Sequence, residues 1–286
     1  MQHNTNLKPN TTHEEGFHTL DIQYDKSRNL AWYYTRPYPR PCCTPELIQD
    51  IQSWYSELID SQMHHGDVKY IAIACNTPGI FNLGGDLNLF TKMIRNQDRE
   101  GLLRYAIACI DTLYANHTGL GNNVTTISLV QGDALGGGLE FAMSSHVLVA
   151  ERSAKMGMPE ILFNLFPGMG AYSLLSRKVG SALAEKMILS GKIYSAEEMY
   201  DLGVVDILAE DGEGEQAVYA YIKKESHASN GYRAFRKSQQ CCNPVPYDEL
   251  KETKAIWVDA ALKLEDNNLR MMERLIARQS SKIDNR

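Results

Sequence analysis

Apolar runs and helix-like segments alternate along the first half of the chain. The runs VKYIAIAC at 68–75 and TTISLVQG at 125–132 are short and β-rich, a pattern typical of buried strands. Between them, REGLLRYAIACIDTLYA at 99–115 repeats its apolar residues with the period of a helix. Strands separated by helices predict βαβ units, whose right-handed crossovers produce a largely parallel sheet.

Two further patterns precede this alternation. HTLDIQYD at 18–25 and NLAWYYTR at 29–36 predict a pair of strands. Thr44 and Pro45 predict the start of a helix running to about Met63, because proline is tolerated at the first helical position.

After about residue 170 the pattern becomes helical and ends with the stretch 250–279, which we predict to be the last helix. We therefore predict an α/β fold with a disordered N-terminus at 1–17. A core follows over 18–210, and a C-terminal helical layer over 211–286.

Composition narrows the classes of protein that fit. The chain has 286 residues, 43% of them hydrophobic and 22% charged, so it can bury a sizeable core. It contains no apolar run of the roughly 18 to 20 residues that span a bilayer and no secretory pattern at its start. A net charge of −6 argues against nonspecific binding to nucleic acid or anionic membranes. We expect a soluble cytoplasmic protein.

The cysteines and histidines show no metal-ligand spacing, so we expect reduced thiols and neither a metal nor another cofactor. Two of the cysteine pairs are adjacent in sequence, and His64 and His65 lie in a predicted helix end. The six cysteines are Cys42, Cys43, Cys75, Cys109, Cys241 and Cys242.

Candidate chemistry begins at VQGDALGGGLEFA, residues 130–142, where Gly136 to Gly138 join a predicted strand to a predicted helix. Glycine lets a backbone approach a ligand closely, and the first amides of a helix attract an anion. The spacing matches neither a P-loop nor a dinucleotide motif. Taken alone, the glycines fit close helix packing equally well.

A second glycine turn, Gly84-Gly85-Asp86, lies in CNTPGIFNLGGDLNLF at 75–90. Two strand-end turns that each offer a free amide predict an oxyanion hole, where each donor contributes on the order of 3 kcal/mol. Glu140 and Glu160 stand among apolar neighbours, so desolvation should raise their proton affinity.

In order and spacing, Gly84-Gly85-Asp86, GDALGGGLE and MGMPEILFNLFPGMG resemble the signature of the crotonase, or enoyl-CoA hydratase/isomerase, superfamily over roughly residues 18 to 210. FNLGGDL, LFPGMGAYS and the stretch IWVDAALKLEDNNLRMMERLIARQ look like the RpfF-type synthases of diffusible signal factors, which make cis-2-unsaturated fatty acids for quorum sensing. The resemblance implies a ββα spiral core with a C-terminal helical layer.

The resemblance also implies roles for site residues. The amides of Gly85 and Gly137 would form the oxyanion hole, and Glu140 and Glu160 the catalytic pair. For a 3-hydroxyacyl thioester we assign Glu160 to the α-proton and Glu140 to the β-hydroxyl and water. Hydrolysis of the thioester in the same pocket is implied by the resemblance alone, since no G-x-S-x-G motif is present.

Apolar residues after the first turn, before Glu160 and in the last helix are candidates to hold an acyl chain, although such residues are more often ordinary core. The last helix is included because it lies in the segment that resembles the signal synthases. Leu87, Met158, Trp257 and Leu275 are our predicted substrate contacts, with Leu89, Phe90 and Met156 as further candidates.

The resemblance implies three partners: an acyl carrier protein with a 3-hydroxyacyl chain, a sensor-kinase receiver domain and further copies of the chain. Basic residues in two helix-like segments could receive the acidic carrier, although a solvated face explains them as well. They are Lys92, Arg95, Arg99 and Arg104 in one segment and Arg270, Arg274 and Arg278 in the other.

Two other functions stay open on sequence. One is a coenzyme A hydratase or isomerase that uses the same two glutamates. The other is a crotonase-like binding protein without catalysis, against which both glutamates and the negative net charge argue.

Overall fold

A computed structural model describes residues 11–14, 16–36, 38–65, 68–122 and 124–284. The strands are β1 Thr11–Glu14, β2 Leu20–Asp25, β3 Leu30–Thr35, β4 Tyr70–Cys75, β5 Gly79–Asn82, β6 Thr125–Val130, β7 Gly132–Leu135, β8 Val147–Glu151, β9 Lys155–Gly157, β10 Ile193–Ser195 and β11 Ile207–Ala209.

The helices are α1 Pro45–His65, α2 Leu87–Arg95, α3 Arg99–His117, α4 Gly119–Asn122, α5 Gly137–Ser144, α6 Ala171–Val179, α7 Ser181–Ser190, α8 Ala196–Asp201, α9 Gly214–His227, α10 Ser229–Cys242, α11 Tyr247–Ala261 and α12 Asp266–Asp284. A 3₁₀ helix spans Pro159–Phe163.

The strands form two sheets. The larger has the order β1-β2-β3-β4-β6-β8-β11, parallel from β3 onward, and the smaller has the order β10-β9-β7-β5. In each repeat the chain places one strand in the large sheet and the next in the small sheet, before a helical segment follows. The predicted α/β fold with a largely parallel sheet is confirmed.

The small sheet was not visible in the sequence. We placed the turn at Gly84 directly after the strand that ends at Cys75, yet β5 lies between them and pairs with β7. Strands of three or four residues are too short for an alternation of apolar and polar positions to identify them. These short strands carry the candidate site.

Helix α9 packs on one face of the large sheet, and the C-terminal helices α11 and α12 pack against α2 and α3. On one face, Val218 and Ile222 of α9 contact Leu129 of β6 and Val149 of β8. Elsewhere, Trp257 of α11 belongs to a buried cluster with residues of α2, α3 and α12: Phe90, Ile94, Leu102, Tyr105, Leu269 and Met272. This second cluster brings the C-terminal helices over the glycine turns.

Two expectations need correction. We expected residues 1–17 to be disordered, but Thr11–Glu14 forms strand β1, which pairs antiparallel with β2. Threonine is β-branched and therefore favours strands. Residues 1–10 and 15 lie outside the described residues. The stretch 250–279 is not one helix, because it divides between α11 and α12. At the start of α12, Asn268 Oδ1 accepts a hydrogen bond from the Glu265 amide (3.1 Å) and caps the helix.

The remaining local predictions agree with the structure. Thr44 Oγ1 accepts a hydrogen bond from the Leu47 amide and caps α1. All six cysteines are free thiols. Within the part of the chain that the structure describes, no helix combines the length and apolar character needed to cross a bilayer.

Candidate active site

The candidate site forms where three neighbouring strands of the small sheet end. Strands β5, β7 and β9 run parallel, so their carboxyl ends meet at one edge. The chain then continues into the Gly84–Asp86 loop after β5, the Gly136 turn after β7, and the 3₁₀ helix with Glu160 after β9. Residues far apart in sequence therefore converge at this edge.

The two glycine turns are in direct backbone contact. The ideal Cβ position of Gly137 lies 3.5 Å from Gly85 N, and that of Gly84 lies 3.3 Å from Gly137 N. The N–H groups of Gly85 and Gly137 donate to no hydrogen bond recorded among the described residues. Both glycines line one cavity, so their amides can serve an oxygen placed there.

A network of hydrogen bonds fixes the first turn. Cys43 N donates to Gly84 O (2.8 Å), and Gly84 N donates to Asn82 Oδ1 (2.8 Å). The buried Tyr105 hydroxyl donates to Cys43 O and accepts from the Asp86 amide. These contacts orient the turn before any ligand binds, which is how a preorganised donor lowers a barrier.

Glu140 lies in the first turn of α5 and is 1% exposed. Its Oε1 accepts hydrogen bonds from the amides of Met169 (2.7 Å) and Ala171 (2.8 Å). Burial raises the pKa of Glu140 to about 8, with a further contribution from Glu160, against the opposing effect of the two amides. The group is therefore positioned by Oε1 and mostly protonated at neutral pH.

Glu160 lies in the 3₁₀ helix, and burial raises its pKa to about 7. Its Oε2 is buried without a hydrogen-bond partner among the described residues. Its Oε1 lies against Gly136: a Cβ on that glycine would come within 2.1 Å. A carboxylate of this kind is available to exchange a proton with a ligand.

Both glutamates and both glycines line one small apolar cavity of about 50 Å³. Its other walls are Leu87, Phe90, Tyr105, Ala106, Cys109, Phe163, Leu165, Gly168, Met169 and Trp257. A second apolar cavity of about 30 Å³ shares the walls Cys109 and Met169 with the first.

The predicted substrate contacts divide into two groups. Leu87 and Trp257 line the cavity, and Phe90 stacks edge-on against Trp257 with 5.1 Å between ring centroids. Met158 does not line it, since its side chain is buried in the main core. Leu275 packs against the Trp257 cluster from α12 but also stays outside the cavity walls.

Sequence reasoning missed the α3 wall. Tyr105 and Cys109 are spaced four residues apart and face the cavity from one side of α3. The helical period marked this face as buried, yet nothing in it distinguished a cavity wall from ordinary core.

Three of the seven candidate carrier-binding residues form ion pairs, two of them with neighbouring helices. Arg95 pairs with Glu273 (2.8 Å) and Arg99 with Asp259 (3.0 Å), so these two arginines join α2 and α3 to α12 and α11. Arg104 pairs with Glu100 on its own helix. Lys92, Arg270 and Arg274 are exposed, and the Arg278 side chain lies outside the described side chains.

A scan against protein-family models matches residues 52–241 to the family described as enoyl-CoA hydratase/isomerase. The fold and the two-turn site together define a crotonase-type protein. The chain belongs to the enoyl-CoA hydratase/isomerase family.

Curated relatives agree with this assignment. The chain is 34% identical over 167 residues to the peroxisomal fatty acid beta-oxidation multifunctional protein AIM1 of Arabidopsis thaliana, covering 58% of this chain and 22% of the relative. It is 33% identical over 172 residues to the mitochondrial methylglutaconyl-CoA hydratase of Rattus norvegicus, covering 60% and 52%. The matched segments thus span from about a fifth to about half of the relatives' length.

Solved structures share the fold. The human mitochondrial delta3-delta2-enoyl-CoA isomerase has a TM-score of 0.75 at 13% identity, covering 92% of this chain and 99% of the other. DspI of Pseudomonas aeruginosa has a TM-score of 0.64 at 23% identity, covering 86% and 96%. These similarities concern the architecture alone.

Proposed function

We propose that this chain dehydrates a 3-hydroxyacyl thioester on an acyl carrier protein and hydrolyses the thioester, releasing a cis-2-unsaturated fatty acid used as a diffusible quorum-sensing signal. The observation that carries the proposal is the placement of two glutamates with raised pKa values, Glu140 and Glu160, beside two free amides in one apolar cavity. Family membership supports thioester chemistry, and the resemblance to signal synthases supports the particular product.

In the first step the amides of Gly85 and Gly137 bind the thioester oxygen. Glu160, with its unpartnered Oε2, removes the α-proton, and the amides stabilise the enolate. Glu140, protonated near neutral pH, gives its proton to the β-hydroxyl, which leaves as water. Glu160 ends protonated and Glu140 ionised.

In the second step these protonation states are reversed. The ionised Glu140 takes a proton from a water molecule as it attacks the thioester carbonyl, and the same amides hold the tetrahedral oxyanion. The C–S bond breaks, and the protonated Glu160 supplies the proton for the carrier thiol. Both glutamates return to their starting states, and the free acid leaves.

The acyl chain needs more room than the site now offers. Ligand sites typically occupy ~300–1,000 Å³, whereas the cavity beside the glutamates holds about 50 Å³. The apolar cavity of about 30 Å³ behind Cys109 and Met169 gives the chain a direction in which to extend. We infer that side chains between the two cavities move when the chain enters.

Delivery by an acidic carrier protein fits the exposed cations on α2 and α12. Lys92, Arg270 and Arg274 are exposed, and none of them forms an ion pair recorded among the described residues. A receiver-domain partner and homo-oligomer formation stay predictions from the resemblance, and a cytoplasmic location stays a prediction from the sequence pattern.

The alternative is a coenzyme A hydratase or isomerase, which the name of the rat relative favours. The two functions differ in product: a free cis-2 acid in one case, a trans thioester in the other. Purified protein should be incubated with matched 3-hydroxyacyl chains on carrier protein and on coenzyme A, followed by mass spectrometry and separation of the cis and trans isomers. Free cis-2 acid from the carrier substrate supports the proposal. Only trans-2-enoyl thioester, with no free acid, would establish the hydratase instead.

A further inference from the structure

A polar cleft lies at the amino ends of three strands of the large sheet, separate from the glycine turns that follow the small sheet. It is formed at the amino ends of β3, β4 and β6, where Asn29, Lys69–Tyr70 and Thr125 line it, and is closed by α9 and α10. Its volume is about 280 Å³, and none of its walls is shared with the cavity at Glu140.

Cationic side chains dominate this cleft. Five of them line it: Arg28, Lys69, Arg233, Arg236 and Lys237. Among the described residues that line it, Glu225 is the only carboxylate. His146 adds no charge, because burial keeps its pKa far below neutrality, at about 3. This concentration of positive charge stands out in a chain of net charge −6.

Arg236 and Glu225, which line the cleft, are held by a network of hydrogen bonds. Arg236 forms two hydrogen bonds with Glu225, at 2.9 Å to Oε1 and 2.5 Å to Oε2, and a third with the Tyr221 hydroxyl (2.7 Å). The Glu225 carboxylate also accepts from Thr125 Oγ1 (2.8 Å). The single negative charge is thus already neutralised within the protein.

The other four cations have no such partner. Arg28, Lys69, Arg233 and Lys237 are exposed and form no ion pair recorded among the described residues. Like charges gathered without counter-charges repel each other, so an anion that enters the cleft relieves this repulsion. Arginine forks match phosphate oxygens in pairs, and lysine binds phosphate as a point charge.

We propose that this cleft binds a small molecule carrying two or more phosphate groups, at a site separate from the one that performs the acyl chemistry. A concave site lined by five cations and by Ser226 and Ser229 suits a compact polyanion. Pyrophosphate and ADP share this chemistry, and the experiment distinguishes a bare polyphosphate from a nucleotide.

The test is calorimetric titration of the full chain with inorganic phosphate, pyrophosphate and ADP at physiological salt. The variant Arg233→Ala/Lys237→Ala removes two cleft cations four residues apart on α10. Its matched control, Arg270→Ala/Arg274→Ala, removes two exposed arginines with the same spacing on α12. Pyrophosphate should bind with a Kd below about 1 mM, and the cleft variant should weaken it by at least about tenfold while the control does not.

If ADP binds more tightly than pyrophosphate, the ligand of the cleft is a nucleotide. If the two bind equally, the cleft recognises the phosphate groups alone. Either result supports the site. Absence of binding by all three probes would overturn the proposal, as would equal weakening in both variants. Sedimentation of the two variants is the second measurement. If the cleft variant dissociates an oligomer that forms without phosphate, the cations hold a second copy of the chain and the proposal fails.

Discussion

The Glu160 carboxylate rests against the backbone of Gly136, so closely that a Cβ there would lie 2.1 Å from Glu160 Oε1. Gly136 also has φ +50° and ψ −125°, a conformation that other residues rarely adopt. This glycine therefore serves two purposes: it permits the turn before α5, and it leaves room for the carboxylate.

Gly136→Ala should displace Glu160 and reduce turnover by about 100-fold or more, because small misplacements of a reacting group are costly. The backbone strain should also lower stability by about 1–3 kcal/mol. Gly180→Ala is the matched control: Gly180 has φ +86°, but nothing lies within 4 Å of its ideal Cβ. It should lose stability alone. Comparable turnover in the two variants would show that the Gly136–Glu160 contact is unimportant.

Glu140→Gln and Glu160→Gln should each reduce formation of the unsaturated acid by about 100- to 10,000-fold, because glutamine keeps the shape but cannot transfer the proton. Glu151→Gln changes another buried carboxylate, outside the cavity, and should keep turnover. Product is measured by mass spectrometry and the fold by circular dichroism. Near-normal output from a folded Glu140 or Glu160 variant contradicts the assigned role.

The rate should depend on pH as a bell-shaped curve. Glu160 must be ionised to act as a base, so activity rises through its pKa of about 7. Glu140 must be protonated to act as an acid, so activity falls through its pKa of about 8. Because the two groups interact, the two limbs give apparent pKa values of the pair. A rate that keeps rising well above pH 9 or stays flat across this window is incompatible with this acid–base pair.

Trp257→Ala should shift the released acids toward longer chains, because the indole closes one wall of the cavity. The variant should also lose roughly 3–5 kcal/mol of stability. Met272→Ala is the control, since Met272 is fully buried in the same cluster but does not line the cavity. The melting temperature and the product profile are measured on mixed 3-hydroxyacyl carrier substrates. If the chain lengths of the released acids stay unchanged while the melting temperature falls, the role of Trp257 is purely structural.

Lys254→Met should stabilise the fold by about 1–3 kcal/mol, because a buried polar group without a partner costs that much. Lys254 is 2% exposed, and its Nζ has no hydrogen-bond partner among the described residues. Burial lowers the pKa of Lys254 in the folded protein. The free-energy cost of burying its charged amine is therefore complete at low pH, and it decreases as pH rises from the folded-state pKa toward the pKa of the unfolded chain. The stability difference should therefore narrow at alkaline pH in denaturant titrations. A variant less stable than the parent at pH 6 would show that the amine has a favourable role.

The sequence was sufficient for the elements whose side chains repeat over many residues. The periodicity of 99–115 predicted α3, and the apolar runs predicted β4 and β6 with their parallel pairing. The turn into α5 at Gly136 was also foreseen, because it lies between a predicted strand and a predicted helix. These features are local: neighbouring residues determine them, and a single sequence contains their pattern.

Tertiary structure alone decided which residues share the cavity. Nothing in the pattern around Met158 or Leu275 separates them from Leu87 and Trp257, yet only the latter two line it. Strands β5, β7 and β9 are too short to have a readable period, and their alignment brings Gly85, Gly137 and Glu160 together. The raised pKa values of the glutamates likewise follow from burial by distant segments, because desolvation depends on everything packed around a group.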